Sequence, residues 1–95
     1  MQVFKPANEN HILKVIPLIN SEQCTINLRH ELTDVITSID IPKIYCENGY
    51  YIMPFAFTFK EGGSYHVEVI SDLGTIFRGK AYATDFNDIE NYKLL

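Results

Sequence analysis

Residues 45–59, Tyr-Cys-Glu-Asn-Gly-Tyr-Tyr-Ile-Met-Pro-Phe-Ala-Phe-Thr-Phe, decide the fold class of this chain. Asn48-Gly49 lies between two runs rich in β-forming residues, and Asn-Gly is a strong hairpin signal because a type I′ turn needs positive φ at both central positions. In the second run, Phe55, Phe57 and Phe59 recur at every second position and share one face of an extended strand. We expect these three rings to form the centre of the core.

The two-residue period continues on both sides of this hairpin, and no stretch has the long 3.6-residue period of a helix. Pro17 and Pro54 indicate edge positions or bulges, because proline cannot donate to the ladder. We therefore expect an all-β fold, an antiparallel immunoglobulin-like β-sandwich or a small barrel, with about six to seven strands. The predicted strands are 11–19, 24–31, 34–41, 43–46, 50–59, 65–71 and 75–83.

The length of 95 residues fits one domain. We expect residues 11–84 to form the sandwich, with an N-terminal arm at 1–10 and a C-terminal arm at 85–95. The second arm is acidic but also apolar, and large apolar groups are costly to leave in water. It should either fold back on its own domain or dock on a neighbouring subunit, as arms do in symmetric assemblies. Its candidate contact residues are Phe86, Ile89, Tyr92, Leu94 and Leu95.

Composition narrows the classes of partner. The net charge of −4 and pI of 5.2 argue against sequence-independent binding to nucleic acid, which uses clustered Lys and Arg. The longest apolar runs, of about ten residues, are too short to cross a bilayer as a helix. The first residues lack the pattern of a signal peptide. We expect no nucleic-acid or membrane partner and synthesis in a cytoplasm.

Cys24 and Cys46 do not make a disulfide framework and are expected to be reduced and partly buried.

No catalytic, cofactor or metal signature is found in the sequence. The serines lie in turns or on polar strand faces and not in a nucleophile elbow. His11, His30 and His66 do not have the spacing of a zinc site. The acidic residues of the C-terminal arm lack the glycine of a calcium loop. Gly62-Gly63 lacks the following Lys-Ser/Thr of a phosphate loop. We expect a protein that is not an enzyme and needs no cofactor.

The one local basic cluster is Arg78-Gly79-Lys80. One interpretation places Arg78 and Lys80 outward on an edge or bulged strand, where charge hinders edge-to-edge pairing. The other is a contact with an acidic partner surface, such as the acidic arm of an adjacent copy.

The tyrosines suggest an alternative function, a ligand-binding module in which aromatic rings recognise a host glycan or protein. Packing in the core and across strands explains most of these rings better. The candidate rings are Tyr50, Tyr51, Tyr65 and Tyr82.

The segment EGGSYHVEVISDLGTIFRGKAYATDFNDIENYKL, residues 61–94, carries a resemblance to a known group of proteins. A Phe-Lys-Glu-Gly turn at 59–62 leads to a Tyr-His-Val strand at 65–67. An acidic-Gly turn at 72–74 leads to Phe-Arg-Gly-Lys at 77–80, and the strand ends in Ala-Thr-Asp at 83–85. With the opening Val-Phe-Lys-Pro and His-Ile-Leu-Lys, this pattern resembles small β-rich virion proteins of tailed phages of Bacteroidetes hosts, including crAss-like phages.

The resemblance implies a structural component of the virion, in the tail or in the ring stack below the portal. It implies a homo-oligomer that is assembled in the host cytoplasm and contacts other virion proteins, and it implies no catalytic residues. The position in the particle is left open.

Overall fold

The computed structural model describes residues 2–84, and this part of the chain forms eight strands and no helix. Five strands form one sheet in the order β1-β8-β7-β3-β4, and three form a second in the order β2-β6-β5. All neighbours are antiparallel except β1, which lies parallel to β8. The strands are β1 Gln2–Phe4, β2 Asn10–Val15, β3 Cys24–His30, β4 Ile36–Ile41, β5 Tyr45–Glu47, β6 Tyr50–Ala56, β7 Ser64–Ser71 and β8 Gly74–Ala83.

The all-β prediction is confirmed, although the strands number eight and not six to seven. The two sheets share one core, so the fold is sandwich-like and not a closed barrel. Strand alternation sends every second side chain inward. The three-stranded sheet contributes Leu13 and Met53, each almost fully buried. The five-stranded sheet contributes the other large, fully buried side chains, Ile26, Leu28, Val67, Val69 and Ile76.

The Asn-Gly hairpin forms as the sequence predicts. Asn48 has φ of 51° and Gly49 has φ of 82°, as a type I′ turn between β5 and β6 requires. The strand after it is shorter than predicted and ends at Ala56. Phe55 and Phe59 are buried, whereas Phe57 is half-buried against them. The predicted aromatic centre of the core is therefore confirmed for two of its three rings.

The first residues form a strand where an arm was expected. Phe4 is only 6% exposed, and its ring stacks on that of Phe59 with a centroid distance of 4.9 Å. It also meets His11 and Phe55 edge-on. This aromatic cluster packs β1 against residues of β2 and β6, whereas backbone pairing joins β1 to β8. β2 already begins at Asn10. The predicted C-terminal arm, residues 85–95, lies outside the described residues.

β8 contains a bulge shortly before its Arg-Gly-Lys residues. Val69 lies opposite Phe77 while Ile70 lies opposite Thr75, so Ile76 is the extra residue. The Phe77 ring then lies over Gly79, where an added Cβ would come within 2.7 Å of the ring carbon Cζ. Glycine is thus the residue that lets the ring cover the strand, and the two cations beside it face outward. Of the two expectations for this segment, the bulged strand is confirmed, with the bulge at Ile76, and the edge strand is wrong because β8 lies between β1 and β7.

Candidate interaction surfaces

The outward side chains of β3, β4, β7 and β8 form a surface that we call the paired face. Arg78 donates from Nε to Glu68 Oε2 at 2.9 Å, and Lys80 Nζ lies 3.4 Å from Glu31 Oε1. The acidic groups that face these two cations therefore belong to the same chain. Their contact with an acidic arm of a second copy stays a prediction.

The rest of the paired face is also internally satisfied. Glu31 lies 3.1 Å from His66 Nε2, and Arg29 donates to Asp34 at 2.7 Å. Across β3 and β4, Thr25 donates to Asp40 at 3.0 Å, and Ser38 donates to Asn27 at 2.6 Å. A shallow depression of about 290 Å³ lies on this face beside Arg78. Neighbouring polar groups thus already supply one another's hydrogen bonds.

Large aliphatic side chains are exposed at both ends of the sandwich. At the loop end, formed by residues 16–23, 42–44 and 72–73, Leu18 is 74% exposed and Leu73 is 73% exposed. At the turn end, formed by residues 31–35 and 60–63, Leu32 is 89% exposed and Val35 is also exposed. β3 and β7 run from one end to the other. The sequence gives no signal for this exposure, because isolated apolar residues in turns follow no period.

The loop end also contains a cavity of about 770 Å³. Its wall includes the buried Tyr51, whose hydroxyl accepts from the Ser21 N–H at 2.8 Å and donates to Asn20 Oδ1 at 3.4 Å. Acidic side chains around it come from three separate loops or strands, Glu22, Asp40 and Asp72. The cavity can therefore offer acceptors to a polar ligand.

Within residues 2–84, no strand pairs with the outer edge of β2. Phe57 donates its N–H to Glu9 O at 2.9 Å, which places Glu9 in the hydrogen-bonding register of the β2–β6 pair. Hydrogen-bonded pairs alternate along an antiparallel ladder, so the backbone groups of Ile12 and Lys14 point away from β6. Two observations agree with this: Lys14 O accepts from Gln2 Nε2 at 3.1 Å, and Ile12 lies opposite Pro54, which has no N–H.

A groove of about 540 Å³, which we call the edge groove, lies between β1 and this outer edge of β2. The buried Phe4 and His11 line it on the core side, and the exposed Val3 and Ile12 line its rims. Lys5 lies in the same wall. The edge groove therefore combines apolar side chains with the outward backbone groups of Ile12, while the outward Lys14 O on the same strand is already bonded to Gln2.

The histidines have structural partners. His11 is buried and its Nε2–H donates to Phe57 O at 2.9 Å. Nδ1 of His30 accepts from the N–H groups of Leu32 and Thr33 at 3.2 and 3.4 Å, which shapes the turn after β3. Within residues 2–84, His, Cys, Asp and Glu form no cluster of three or more that could hold a metal ion.

The two cysteines lie in different sheets and different environments. Cys24 is buried with its Sγ 3.5 Å from the Met53 sulfur, and burial raises the pKa of its thiol to about 11. Cys46 is exposed on β5. The expectation of two partly buried thiols is therefore met by one of them.

The tyrosines do not share a platform. Tyr51 and Tyr65 are buried in the core, and the Tyr50 ring is covered by Lys14 Nζ at 4.7 Å. Tyr82 lies on β8, in the other sheet. Core packing is thus the correct interpretation for Tyr51 and Tyr65.

The described part of the chain also contains no helix with the length and apolar character needed to cross a bilayer. Comparison of the chain with models of protein families, with curated proteins and with solved structures gave no match. The resemblance to phage virion proteins therefore rests on the motifs quoted above.

Proposed function

We propose that this chain is a non-enzymatic structural protein of a tailed-phage virion, present in many copies as a ring-like tail or portal-proximal component. Its neighbours would be other copies and other virion proteins. The motif resemblance supports the assignment to a particle. The observation that carries the assembly role is the exposure of large aliphatic side chains at opposite ends of one small body.

The distribution of these side chains supports contacts with more than one neighbour. Nine large apolar side chains within residues 2–84 are at least 46% exposed. Apolar surface that gathers in patches commonly marks a protein interface. Leu18 and Leu73 lie at the loop end, and Leu32 lies at the turn end. A subunit that uses two different surfaces makes heterologous contacts, which generate rings when the rotation closes and stacks or filaments when it does not.

We further propose that the sandwich is immunoglobulin-like, which is a common scaffold for such contacts. The orders β2-β6-β5 and β8-β7-β3-β4 correspond to strands B-E-D and G-F-C-C′ of that fold. A tyrosine corner supports this assignment, because the Tyr65 hydroxyl at the start of β7 accepts from the Lys60 N–H at 3.1 Å. The chain departs from antibody domains in having no tryptophan, and neither cysteine lies on β2 or β7.

Two measurements test the assembly role. Quantitative mass spectrometry of purified particles should find the protein at many copies per virion. Sedimentation of the full chain should show an oligomer, and deletion of residues 85–95 should give a folded monomer that no longer assembles. Absence of the protein from particles would refute the virion assignment. A truncated chain that enters particles normally would refute the role of the C-terminal arm.

The loop-end cavity favours a second candidate function, recognition of a host glycan or protein. Its acidic and amide groups could accept hydrogen bonds from sugar hydroxyls, as loops at one end of variable domains bind their ligands. A glycan array probed with the full chain tests this function. Binding that is lost in Asp40→Ala and Asp72→Ala, but kept in Glu47→Ala on β5, would support it. The absence of binding to any glycan on the array would refute the glycan version.

A further inference from the structure

We propose that the edge groove binds residues 85–95 of a second copy as an added strand on β2. The inference deepens the assembly role proposed above and rests on it. It assigns both the surface that receives the C-terminal arm and the chemistry of the contact. The contact is backbone pairing to β2, together with burial of apolar side chains between Val3 and Ile12.

The groove lies where the fold has a vacant strand position. In an immunoglobulin-type sandwich, the sheet that contains strands B, E and D also contains strand A beside B. Here the first strand, β1, lies in the other sheet beside β8, so within residues 2–84 no strand pairs with the outer side of the B-like strand β2. An open edge of this kind is a template for an incoming strand, and main-chain hydrogen bonds supply much of the affinity in such complexes.

The sequence of residues 85–95 fits this position. Eleven residues reach about 36 Å when extended, whereas the six residues of β2 span roughly 20 Å. Tyr92 and Leu94 would fall on one side of an extended segment and could enter the groove between its apolar rims. The segment is net acidic, with Asp85, Asp88 and Glu90 against the single Lys93, and this charge is opposite to that of Lys5 in the groove wall.

The chain path favours a second copy over the same copy. Thr84 N–H donates to Phe4 O at 3.0 Å, so β8 stays in the sheet up to its end. Residues 5–9 connect β1 to β2 at that same end and cross between the two sheets there. A segment that continues from Thr84 would have to turn back over this connection to reach its own groove. The segment of another copy can enter from the open side.

Backbone substitution gives the most direct test. In Ile12→Pro the N–H that points away from β6 is removed, so the substitution should block strand addition without breaking the β2–β6 ladder. Ile36→Pro is the matched control, because Ile36 is also 60% exposed and lies on the edge strand β4. Its backbone N–H also points away from the neighbouring strand β3, since the hydrogen-bonded pair next to it is His30 and Val35, with His30 N–H donating to Val35 O at 3.0 Å. Ile12→Thr keeps the N–H and controls for the lost side chain.

Sedimentation equilibrium of the full-length chains gives the readout. Ile12→Pro should weaken self-association roughly tenfold or more, while Ile36→Pro should associate like the unmodified chain. Ile12→Thr should associate only a few-fold more weakly. Circular dichroism and thermal melting confirm that each variant is folded. If Ile12→Pro is folded and associates like the unmodified chain, the edge groove is not the receiving surface.

Amide hydrogen exchange distinguishes the possible occupants. Protection of the Ile12 and Lys14 amides that rises with protein concentration supports docking of a second copy. Addition of a synthetic peptide of residues 85–95 should then compete with self-association. Protection that is constant down to concentrations where the chain is monomeric would mean that a chain fills its own groove, and it would overturn the proposal. The copy number of the protein in purified particles is a separate measurement that tests the virion role, so failure of the edge-groove proposal can be distinguished from failure of that role.

Discussion

The two sheets of this sandwich treat their polar groups in opposite ways. On the paired face of the five-stranded sheet, charged side chains such as Arg78 and Lys80 already meet Glu68 and Glu31 of the same chain. At the outer edge of the three-stranded sheet, backbone groups near Ile12 point away from their own sheet beside apolar side chains. The conspicuous charges are thus internally compensated, and the groups left for a partner are those of the main chain.

This difference shows where specificity would come from in an assembly. Exposed ion pairs are weak because water and salt screen them, so they add little to a contact. An open strand edge offers directional hydrogen bonds in a fixed register. The charged residues that stand out in a sequence are therefore not always the ones that select a partner.

The largest expected effect is a difference in the free energy of unfolding between substitutions at two adjacent residues of β2, Leu13 and Ile12. Leu13→Ala should lower the free energy of unfolding by about 2–5 kcal/mol, because Leu13 is 1% exposed between the sheets and its loss leaves a cavity. Ile12→Ala should change it by no more than about 0.5 kcal/mol, because that side chain faces outward. Urea unfolding at a protein concentration where the chain is monomeric measures both. Equal losses would mean that the two sides of β2 are assigned wrongly.

The next largest expected effect is a pH dependence of stability that comes from the buried Cys24 of the five-stranded sheet and not from the exposed Cys46 of the three-stranded sheet. Because burial raises the pKa of Cys24 from 9.0 to about 11, the folded protein retains this proton over a range where the unfolded chain loses it. The contribution of Cys24 to stability should be constant below pH 9 and should fall by on the order of 2 kcal/mol as the pH rises through 11.

Unfolding of the unmodified chain and of Cys24→Ala at several pH values measures this change as a difference. Thiol labelling gives a second readout, since the exposed Cys46 should react at pH 8 while Cys24 reacts only after unfolding. Rapid labelling of both thiols in the folded protein would contradict the buried position of Cys24.

A smaller effect concerns the connection between the sheets. Tyr65→Phe removes the hydroxyl that accepts from the Lys60 N–H and should destabilise the protein by about 1 kcal/mol. Tyr82→Phe is the matched control on β8 and should be close to neutral. Thermal melting compares the two variants. If they behave alike, the tyrosine corner does not contribute to the stability of this sandwich.

The smallest effect tests the paired face directly. Arg78→Ala should cost less than about 1 kcal/mol, because its pair with Glu68 is exposed. A double-mutant cycle with Glu68→Gln should give a coupling energy that shrinks at high salt. A large, salt-independent coupling would show that this ion pair is more than a surface contact.

The sequence predicted the parts of the fold that depend on local chemistry. The Asn48-Gly49 turn forms as expected, and the two-residue period placed the strands around it within a few residues. Burial of Phe55 and Phe59 follows from the same period. Pro54 was recognised as a special position, and in the structure it lies beyond the part of β6 that β5 covers.

The remaining features depend on distant contacts. β1 is too short to show a period, and Phe4 is buried because rings from other strands surround it. The open edge of β2 results from β1 lying in the other sheet, which no local pattern encodes. Arg78 and Lys80 were identified as outward residues, but their acidic partners come from β7 and from the turn after β3, and could not be predicted from β8 alone.

The parallel pairing of β1 with β8 has a consequence for synthesis. Gln2 lies opposite Ala81, so residues 2–4 have no strand to pair with until β8, which is nearly 80 residues later in the chain, has been synthesised. Contacts between residues so far apart in sequence form late and slow folding. Closure of this sheet is therefore expected to be a final step, and a nascent chain that stops before β8 would leave β1 without the strand on which it pairs.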